Sequence, residues 1–222
     1  MTDNVAAHSS MEYDNKIFGT IPLYDMFNKI TIDLIQNSDI SVSKWLDTGC
    51  GTGNLIMAAK ELFPETEFVL ADPSNAMLTV AKDKIGMDNS ISFDNTSSQD
   101  LQYDDNTFDV ITAIQSHHYL KEEDRVQAVK NCYRMLKPAG ILIVFENIKP
   151  LSEQGMKIGL KRWGNYQVYH GKTIMKARKH IERFGKEYFP ISIIQHLNLL
   201  QAVGFRGVEI LWASYMQAGF TV

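Results

Sequence analysis

Two acidic residues flank a run of glycines in the first third of the chain. Asp47 precedes Gly49, Gly51 and Gly53, and Asp72 follows the run by roughly twenty residues. Glycine admits positive φ angles and lets the backbone approach a ligand closely. An acid at the end of the second strand of an α/β unit accepts hydrogen bonds from both hydroxyls of a ribose. These residues therefore predict a nucleoside-binding site.

The glycine spacing separates two kinds of nucleoside ligand. A dinucleotide site requires Gly-x-Gly-x-x-Gly around a pyrophosphate, whereas Asn54 occupies the position of the third glycine here. Asp47 ends the first predicted strand, where its charge would repel phosphates and attract an ammonium group, directly or through water. The pattern favours a ligand with an amino group and no pyrophosphate.

The elements that must position these residues alternate along the chain. Apolar runs alternate with amphipathic segments, which predicts βαβ units. We expect an α/β fold with a doubly wound, mostly parallel, seven-stranded Rossmann-like sheet and a helical insertion before the last two strands. Residues 54–63 are predicted to form a helix and residues 137–140 a turn. Within one domain, 1–222, the predicted segments are an N-terminal helical leader (1–42), a cofactor-binding core (43–146), a helical lid insertion (147–190), and a final helix with strands (191–222).

Composition narrows the class of protein. The chain has 222 residues, 45% of them hydrophobic, and a net charge of -4, so no global basic field favours nucleic acid. Cys50 and Cys132 have neither metal-site nor disulfide-scaffold spacing, which favours a reducing cytoplasm and no metal. Residues 1–15 lack the features of a signal peptide, and no apolar run approaches the roughly 20 residues of a membrane span. We expect a cytoplasmic protein without a membrane partner.

Four segments in order resemble the class I S-adenosylmethionine-dependent methyltransferases. They are residues 45–53, 70–78, 108–120 and 134–140, and they match the first motif, the second motif, the fourth strand with its exit, and the turn before the fifth strand. The resemblance implies an enzyme that uses S-adenosylmethionine as methyl donor and releases S-adenosylhomocysteine.

The resemblance also implies which residues bind the cofactor. Asp72 would hold the ribose, the glycine turn would line the methionine portion, and Pro73 and Met77 would pack near the adenine. Ser97 is a departure, because the family commonly has an aspartate there. The predicted cofactor-binding residues are Tyr24, Asp47, Gly49, Cys50, Gly51, Asp72, Pro73, Met77, Ser97, Ser98, Ile114 and Gln115.

The sequence shows no set of residues arranged for acid–base or nucleophilic catalysis. Methyl transfer needs few such residues. Orientation alone can supply about 7–11 kcal/mol, and a general base is needed only when the acceptor retains its proton. His117 and His118 follow the fourth predicted strand and are candidates for a general base or a pocket wall. The interpretation that one packs under the sheet edge and bonds a backbone carbonyl carries more weight. Adjacent histidines point to different sides, so no metal site is expected.

The predicted insertion is basic. Residues 157–186 contain many lysines and arginines and a single acid, Glu182. This charge fits a solvated helical face, a patch for an anionic macromolecule such as RNA, or a pocket for a small anionic acceptor. Arg178 shares an apolar helical stripe with Ile174 and Ile181, so we expect it to point inward and bind a substrate carboxylate.

A weaker second resemblance concerns residues 21–24, 177–178 and 200–205, which are similar to the carboxy-S-adenosylmethionine synthase branch. It implies that Tyr24 touches the cofactor and that Arg178 binds the carboxylate of a carboxymethyl group. Gly51 stands where that branch often has serine. Three functions stay open: a methyltransferase with a small-molecule acceptor, a carboxylated-cofactor enzyme of tRNA wobble-uridine modification, and a non-catalytic cofactor-binding protein. A homodimer is compatible with the sequence, and net charge does not favour an RNA partner.

Overall fold

The computed structural model describes residues 3–222, which contain a seven-stranded sheet of order β3-β2-β1-β4-β5-β7-β6. The strands are β1 (Lys44–Thr48), β2 (Glu67–Ala71), β3 (Ile91–Asp94), β4 (Phe108–Ile114), β5 (Leu136–Asn147), β6 (Glu209–Ser214) and β7 (Gln217–Thr221). The helices are α1 (Ser10–Lys16), α2 (Tyr24–Gln36), α3 (Asn54–Ala59), α4 (Asn75–Ile85), α5 (Glu122–Met135), α6 (Glu153–Tyr169), α7 (Ile174–Ile181) and α8 (Ile193–Val203). The first five strands are parallel, and β7 runs antiparallel to both β5 and β6. The predicted fold class is confirmed.

Hydrophobic cores cover both faces of the sheet. Successive side chains of a strand point to opposite faces, so Trp45 packs into one core and Leu46 into the other. Helices α2, α3 and α6 contribute to the first core, and α5 and α8 to the second. This two-sided burial explains why the parallel strands are almost continuously apolar in sequence.

The sheet order creates a switch point at β1. The chain moves from β1 to β2 and β3 on one side, then returns to add β4 and β5 on the other. The connections that leave β1 and β4 therefore diverge, and a crevice opens beyond the carboxyl ends of these strands. Ligands of open α/β sheets bind at such a point.

Local structure differs from the sequence prediction at two places. Helix α3 ends at Ala59, earlier than residue 63, and the amides of Leu62 and Phe63 both donate to the Ala59 carbonyl oxygen in the turn that follows. Residues 137–140, predicted to be a turn, lie inside β5 as a bulge, where the pairing shifts after Phe108 and Ala139 has a φ of 65°. The N-cap of α4 is as expected, because Ser74 Oγ accepts a hydrogen bond from the Met77 amide.

The insertion packs against the N-terminal segment. Trp163 of α6 is fully buried and donates its indole N–H to the Thr20 carbonyl oxygen at 2.7 Å. The Tyr166 hydroxyl donates to the Phe18 carbonyl oxygen at 2.8 Å. The insertion and the leader thus form one layer beside the sheet. Within residues 3–222, no helix is long and apolar enough to cross a membrane.

Candidate functional site

A cleft of about 410 Å³ opens at the carboxyl ends of β1, β2 and β4, within the usual size range of small-molecule sites. We call it the main cleft. The structure places every predicted cofactor-binding residue in its lining: Tyr24, Asp47, Gly49, Cys50, Gly51, Asp72, Pro73, Met77, Ser97, Ser98, Ile114 and Gln115. Their individual roles toward a ligand stay predictions.

The glycine turn is anchored to the end of β2. The amides of Gly49 and Cys50 both donate to the Ala71 carbonyl oxygen, at 2.7 and 3.0 Å. Gly49 has a φ of 72°, and a Cβ atom there would lie 2.2 Å from the Ser116 Cβ. Gly51 has a φ of 55° but open space beside it. The first glycine is required by close packing, and the second faces the main cleft.

These two glycines give a matched pair of variants. We expect Gly49→Ala to abolish detectable S-adenosylhomocysteine binding in calorimetry, because Ser116 must move and the turn with it. Within the protein itself, Gly51→Ala has only its strained φ to accommodate, about 1 kcal/mol, so its melting temperature should fall less than that of Gly49→Ala. Equal melting temperatures of the two variants would contradict the packing role of Gly49.

Asp72 presents its carboxylate to the main cleft. The side chain is 8% exposed, Oδ2 accepts from the Gly51 amide at 2.9 Å, and Oδ1 accepts from the Ser74 amide at 2.8 Å. Burial raises the pKa of Asp72 despite these two bonds. Each oxygen keeps capacity for one more donor. This geometry suits a ligand with two adjacent hydroxyls, as a ribose has.

Asp47 is buried at the end of β1. Its Oδ1 accepts from the Thr112 hydroxyl at 2.7 Å, and Thr112 Oγ1 in turn accepts from the Trp45 indole N–H at 3.0 Å. Burial, together with the charge of Asp72, raises the pKa of Asp47 to about 7, although the Thr112 bond opposes the shift. A cation in the main cleft would offset the cost of the buried carboxylate. The residue therefore fits a ligand with an ammonium group.

The raised pKa makes a prediction about stability. Between pH 3.8, the unperturbed value, and about 7, the folded protein holds a proton on Asp47 that the unfolded chain has lost. The free energy of unfolding therefore falls as pH rises through this window. We expect Asp47→Asn to gain stability relative to the unliganded native protein as pH rises from 4 to about 7, and then to keep a constant advantage. A difference in melting temperature that does not vary with pH would contradict this.

Gln115 lines the main cleft and carries a buried polar atom. Its φ is 56°, its backbone amide donates to the Phe145 carbonyl oxygen at 2.6 Å, and it is 8% exposed. Among the atoms of residues 3–222, its Oε1 has no hydrogen-bond partner, but it lies beneath the surface of the cleft. The polar groups that suit the main cleft to an adenosyl group with an amine are therefore Asp72 and Asp47.

Several residues in and around the main cleft had no signal in the sequence. Asp14 of α1 accepts hydrogen bonds from Thr52, Asn54 and Lys84, at 2.6 to 2.7 Å, and so fixes α1 above the glycine turn. The polar leader gave no indication of this contact. The unpredicted lining residues include Asp3, Asn4, Val5, Ala6, Tyr13, Tyr119 and Glu187.

His117 and His118 are buried and do not line the main cleft. Glu146 accepts from both of their amides, at 2.9 and 2.8 Å, and from His118 Nδ1 at 2.5 Å. Burial opposes ionisation of Glu146, but the two histidines lower its pKa to about 2. The packing interpretation fits this geometry, with a carboxylate in place of the expected backbone carbonyl. The general-base interpretation finds no support in it.

The predicted inward orientation of Arg178 is wrong. Its side chain is 81% exposed and pairs with Glu182 at 2.9 Å. The neighbouring Ile174 is also exposed, since α7 packs through its Ala177 and His180 face instead. The inward arginine is Arg183, whose side chain is 16% exposed.

Comparisons with known proteins match this chain to methyltransferases and to a related synthase. Residues 46–140 match the methyltransferase domain family. The ubiquinone/menaquinone biosynthesis C-methyltransferase of Idiomarina loihiensis is 33% identical over 153 residues, 67% of this chain and 58% of that protein. The carboxy-S-adenosyl-L-methionine synthase of Helicobacter hepaticus is 26% identical over 211 residues, 91% of this chain and 87% of that protein.

The fold is also that of a solved methyltransferase. The Haemonchus contortus phosphoethanolamine N-methyltransferase 2, in complex with S-adenosyl-L-methionine, superposes with a TM-score of 0.64 at 17% identity, covering 92% of this chain and 43% of that one. A cleft at the switch point of a doubly wound sheet is where ligands of such folds bind. The matched domain family and these two relatives support the class that the sequence motifs predicted, the class I S-adenosylmethionine-dependent methyltransferases.

Proposed function

We propose that the protein binds S-adenosylmethionine in the main cleft and transfers its methyl group to a small-molecule acceptor. The observation that carries this proposal is the convergence of Asp47, the glycine turn and Asp72 on one cavity. The bound cofactor supplies a methyl carbon activated by a positively charged sulfur. A lone pair of the acceptor forms the new bond to that carbon while the electrons of the carbon–sulfur bond stay on sulfur.

The residues of the main cleft bind and orient. Asp72 accepts from the ribose hydroxyls and Asp47 neutralises the amine. Tyr24 and Tyr119 line the same cleft, and burial raises the pKa of both to about 12, so neither hydroxyl acts as a base at neutral pH. Leader residues and Glu187 of the insertion line the cleft, and in this proposal they limit the entry of water.

In this proposal the protein accelerates methyl transfer by positioning the acceptor against the methyl group. Among the described residues that line the main cleft there is no histidine, and His117 and His118 lie behind it. Holding the acceptor in line with the methyl group is worth up to about 7–11 kcal/mol. The proposal therefore favours an acceptor atom that is nucleophilic at neutral pH without loss of a proton in the cleft.

The carboxylated-cofactor alternative has one specific observation in its favour. The Helicobacter hepaticus synthase aligns with most of this chain. However, the resemblance to the carboxy-S-adenosylmethionine synthase branch implies that Arg178 binds the carboxylate of the carboxymethyl group. The Arg178 side chain is exposed and paired with Glu182. Methyl transfer is the better-supported of the two, and no specific observation favours a non-catalytic protein.

Mass spectrometry of small molecules released from the purified protein tests the proposal. We expect S-adenosylmethionine or S-adenosylhomocysteine, and calorimetry with either compound should show saturable binding. Release of a carboxymethyl derivative would support the alternative instead. If neither compound binds, both enzymatic functions fail.

A further inference from the structure

A second cavity borders the main cleft. It has a volume of about 990 Å³ and lies between the N-terminal segment, the end of α6, and α7. Ala6, Tyr24 and Glu187 line both spaces. The second cavity and the main cleft are therefore neighbours that share part of one wall.

The walls of this cavity are rich in cations. The basic residues are Lys16, Lys172, Lys176, Lys179 and Arg183, and the acidic residues are Asp25 and Glu187. Lys16 pairs with Glu12, and Arg183 pairs with Glu187 at 2.6 Å. Within residues 3–222, no carboxylate forms an ion pair with the three lysines that remain. In a chain of net charge -4, this local excess draws anions to one cavity.

One of the three lysines is held in place from behind. Gln167 is fully buried, accepts from Lys172 Nζ at 2.8 Å through Oε1, and donates through Nε2 to His180 Nδ1 at 2.9 Å. Burial, with the charges of Arg183 and Lys16, lowers the pKa of Lys172 to about 8. An ammonium group that is partly desolvated beside other cations is stabilised by an anionic partner.

We propose that this space, the basic cavity, binds the anionic group of the methyl acceptor, a small molecule that carries a carboxylate or a phosphate. This inference rests on the proposed methyl transfer. The basic side chains surround a half-open recess between three segments, which fits a small anion better than a nucleic acid, whose phosphates need an extended basic track. Binding there would leave the rest of the acceptor directed past Tyr24 toward the cofactor.

Calorimetry with simple anions tests the inference. Protein saturated with S-adenosylhomocysteine is titrated with inorganic phosphate and, separately, with succinate, at an ionic strength kept constant with chloride. We expect at least one of them to bind saturably. We expect Lys172→Gln to weaken that binding at least about tenfold, the usual cost of a lost charge-assisted hydrogen bond.

Two further variants keep the test clear. The double variant Lys176→Gln with Lys179→Gln changes only exposed residues of α7, so it should fold normally and also weaken anion binding. Lys161→Gln removes the same charge from an exposed position of α6 outside both cavities and should bind phosphate as the native protein does.

Three results would overturn the inference: no saturable binding of either anion, equal weakening by Lys161→Gln and Lys172→Gln, or preferential binding of a single-stranded oligoribonucleotide that Lys161→Gln also weakens. The affinity for S-adenosylhomocysteine is measured first in every variant. If that compound fails to bind the native protein, the proposed function fails. If it binds normally and the anions do not, only the basic cavity is misassigned.

Discussion

Asp72→Ala should weaken the binding of S-adenosylhomocysteine by at least about a hundredfold. The variant would lose two charge-assisted hydrogen bonds between the carboxylate and the ribose, each worth about 1.5–3 kcal/mol. It would also release the Gly51 and Ser74 amides, which it holds at 2.9 and 2.8 Å. Isothermal titration calorimetry on the purified variant measures the loss.

Asp100→Ala is the matched control, since Asp100 is an exposed acid that does not line the main cleft. The Asp100→Ala variant should bind S-adenosylhomocysteine with the affinity of the native protein. Because Asp72 also anchors the turn, circular dichroism and the melting temperature must show that the variant is folded. Asp72→Asn keeps the shape and one strong acceptor, so its loss should be intermediate. Near-native affinity in a folded Asp72→Ala protein would refute the assignment of Asp72 to the ribose.

Glu146→Ala should lower the free energy of unfolding by at least about 3 kcal/mol, because three buried hydrogen-bond donors would each lose their partner at a cost of about 1–3 kcal/mol. Glu146 is fully buried and accepts from the amides of His117 and His118 and from the His118 ring. Without it, these donors stay buried and unpaired. Such a loss is a large share of the stability of a typical domain. Urea denaturation followed by circular dichroism measures it.

The pH dependence of this variant gives an internal check. The pKa of Glu146 is about 2 in the folded state, against an ordinary value of 4.5. A depressed pKa adds stability that is complete above 4.5 and is lost as pH falls toward 2. The difference between the native protein and Glu146→Ala should therefore shrink over that interval. Glu65→Ala, an exposed acid in a loop, should change little at any pH.

The main cleft could be predicted from the sequence because its signals are local. Strand β1, the glycine turn and Asp72 follow one another along the chain, and each has a residue type that its backbone position requires. The parallel sheet then brings the strand ends together without further information. The bulge at residues 137–140 was missed, since it depends on the pairing of β5 with β4.

The side-chain orientations within the insertion could not be predicted from the sequence as the main cleft could. Which face of α7 is buried depends on its contact with α6, and the stripe that contains Arg178 proved to be exposed. Arg183 and Lys172 face the basic cavity, although nothing in their sequence spacing distinguishes them from the other basic residues. The leader is held against the glycine turn through Asp14, a contact between distant parts of the chain.

A crystal structure of the protein with S-adenosylhomocysteine tests the central claim most directly. We expect electron density for the ligand in the main cleft, with both ribose hydroxyls against the Asp72 carboxylate and the amine directed toward Asp47. The glycine turn should pass beneath the methionine portion without rearrangement. Density for the ligand elsewhere, or a ribose turned away from Asp72 in an otherwise occupied cleft, would contradict the assignment.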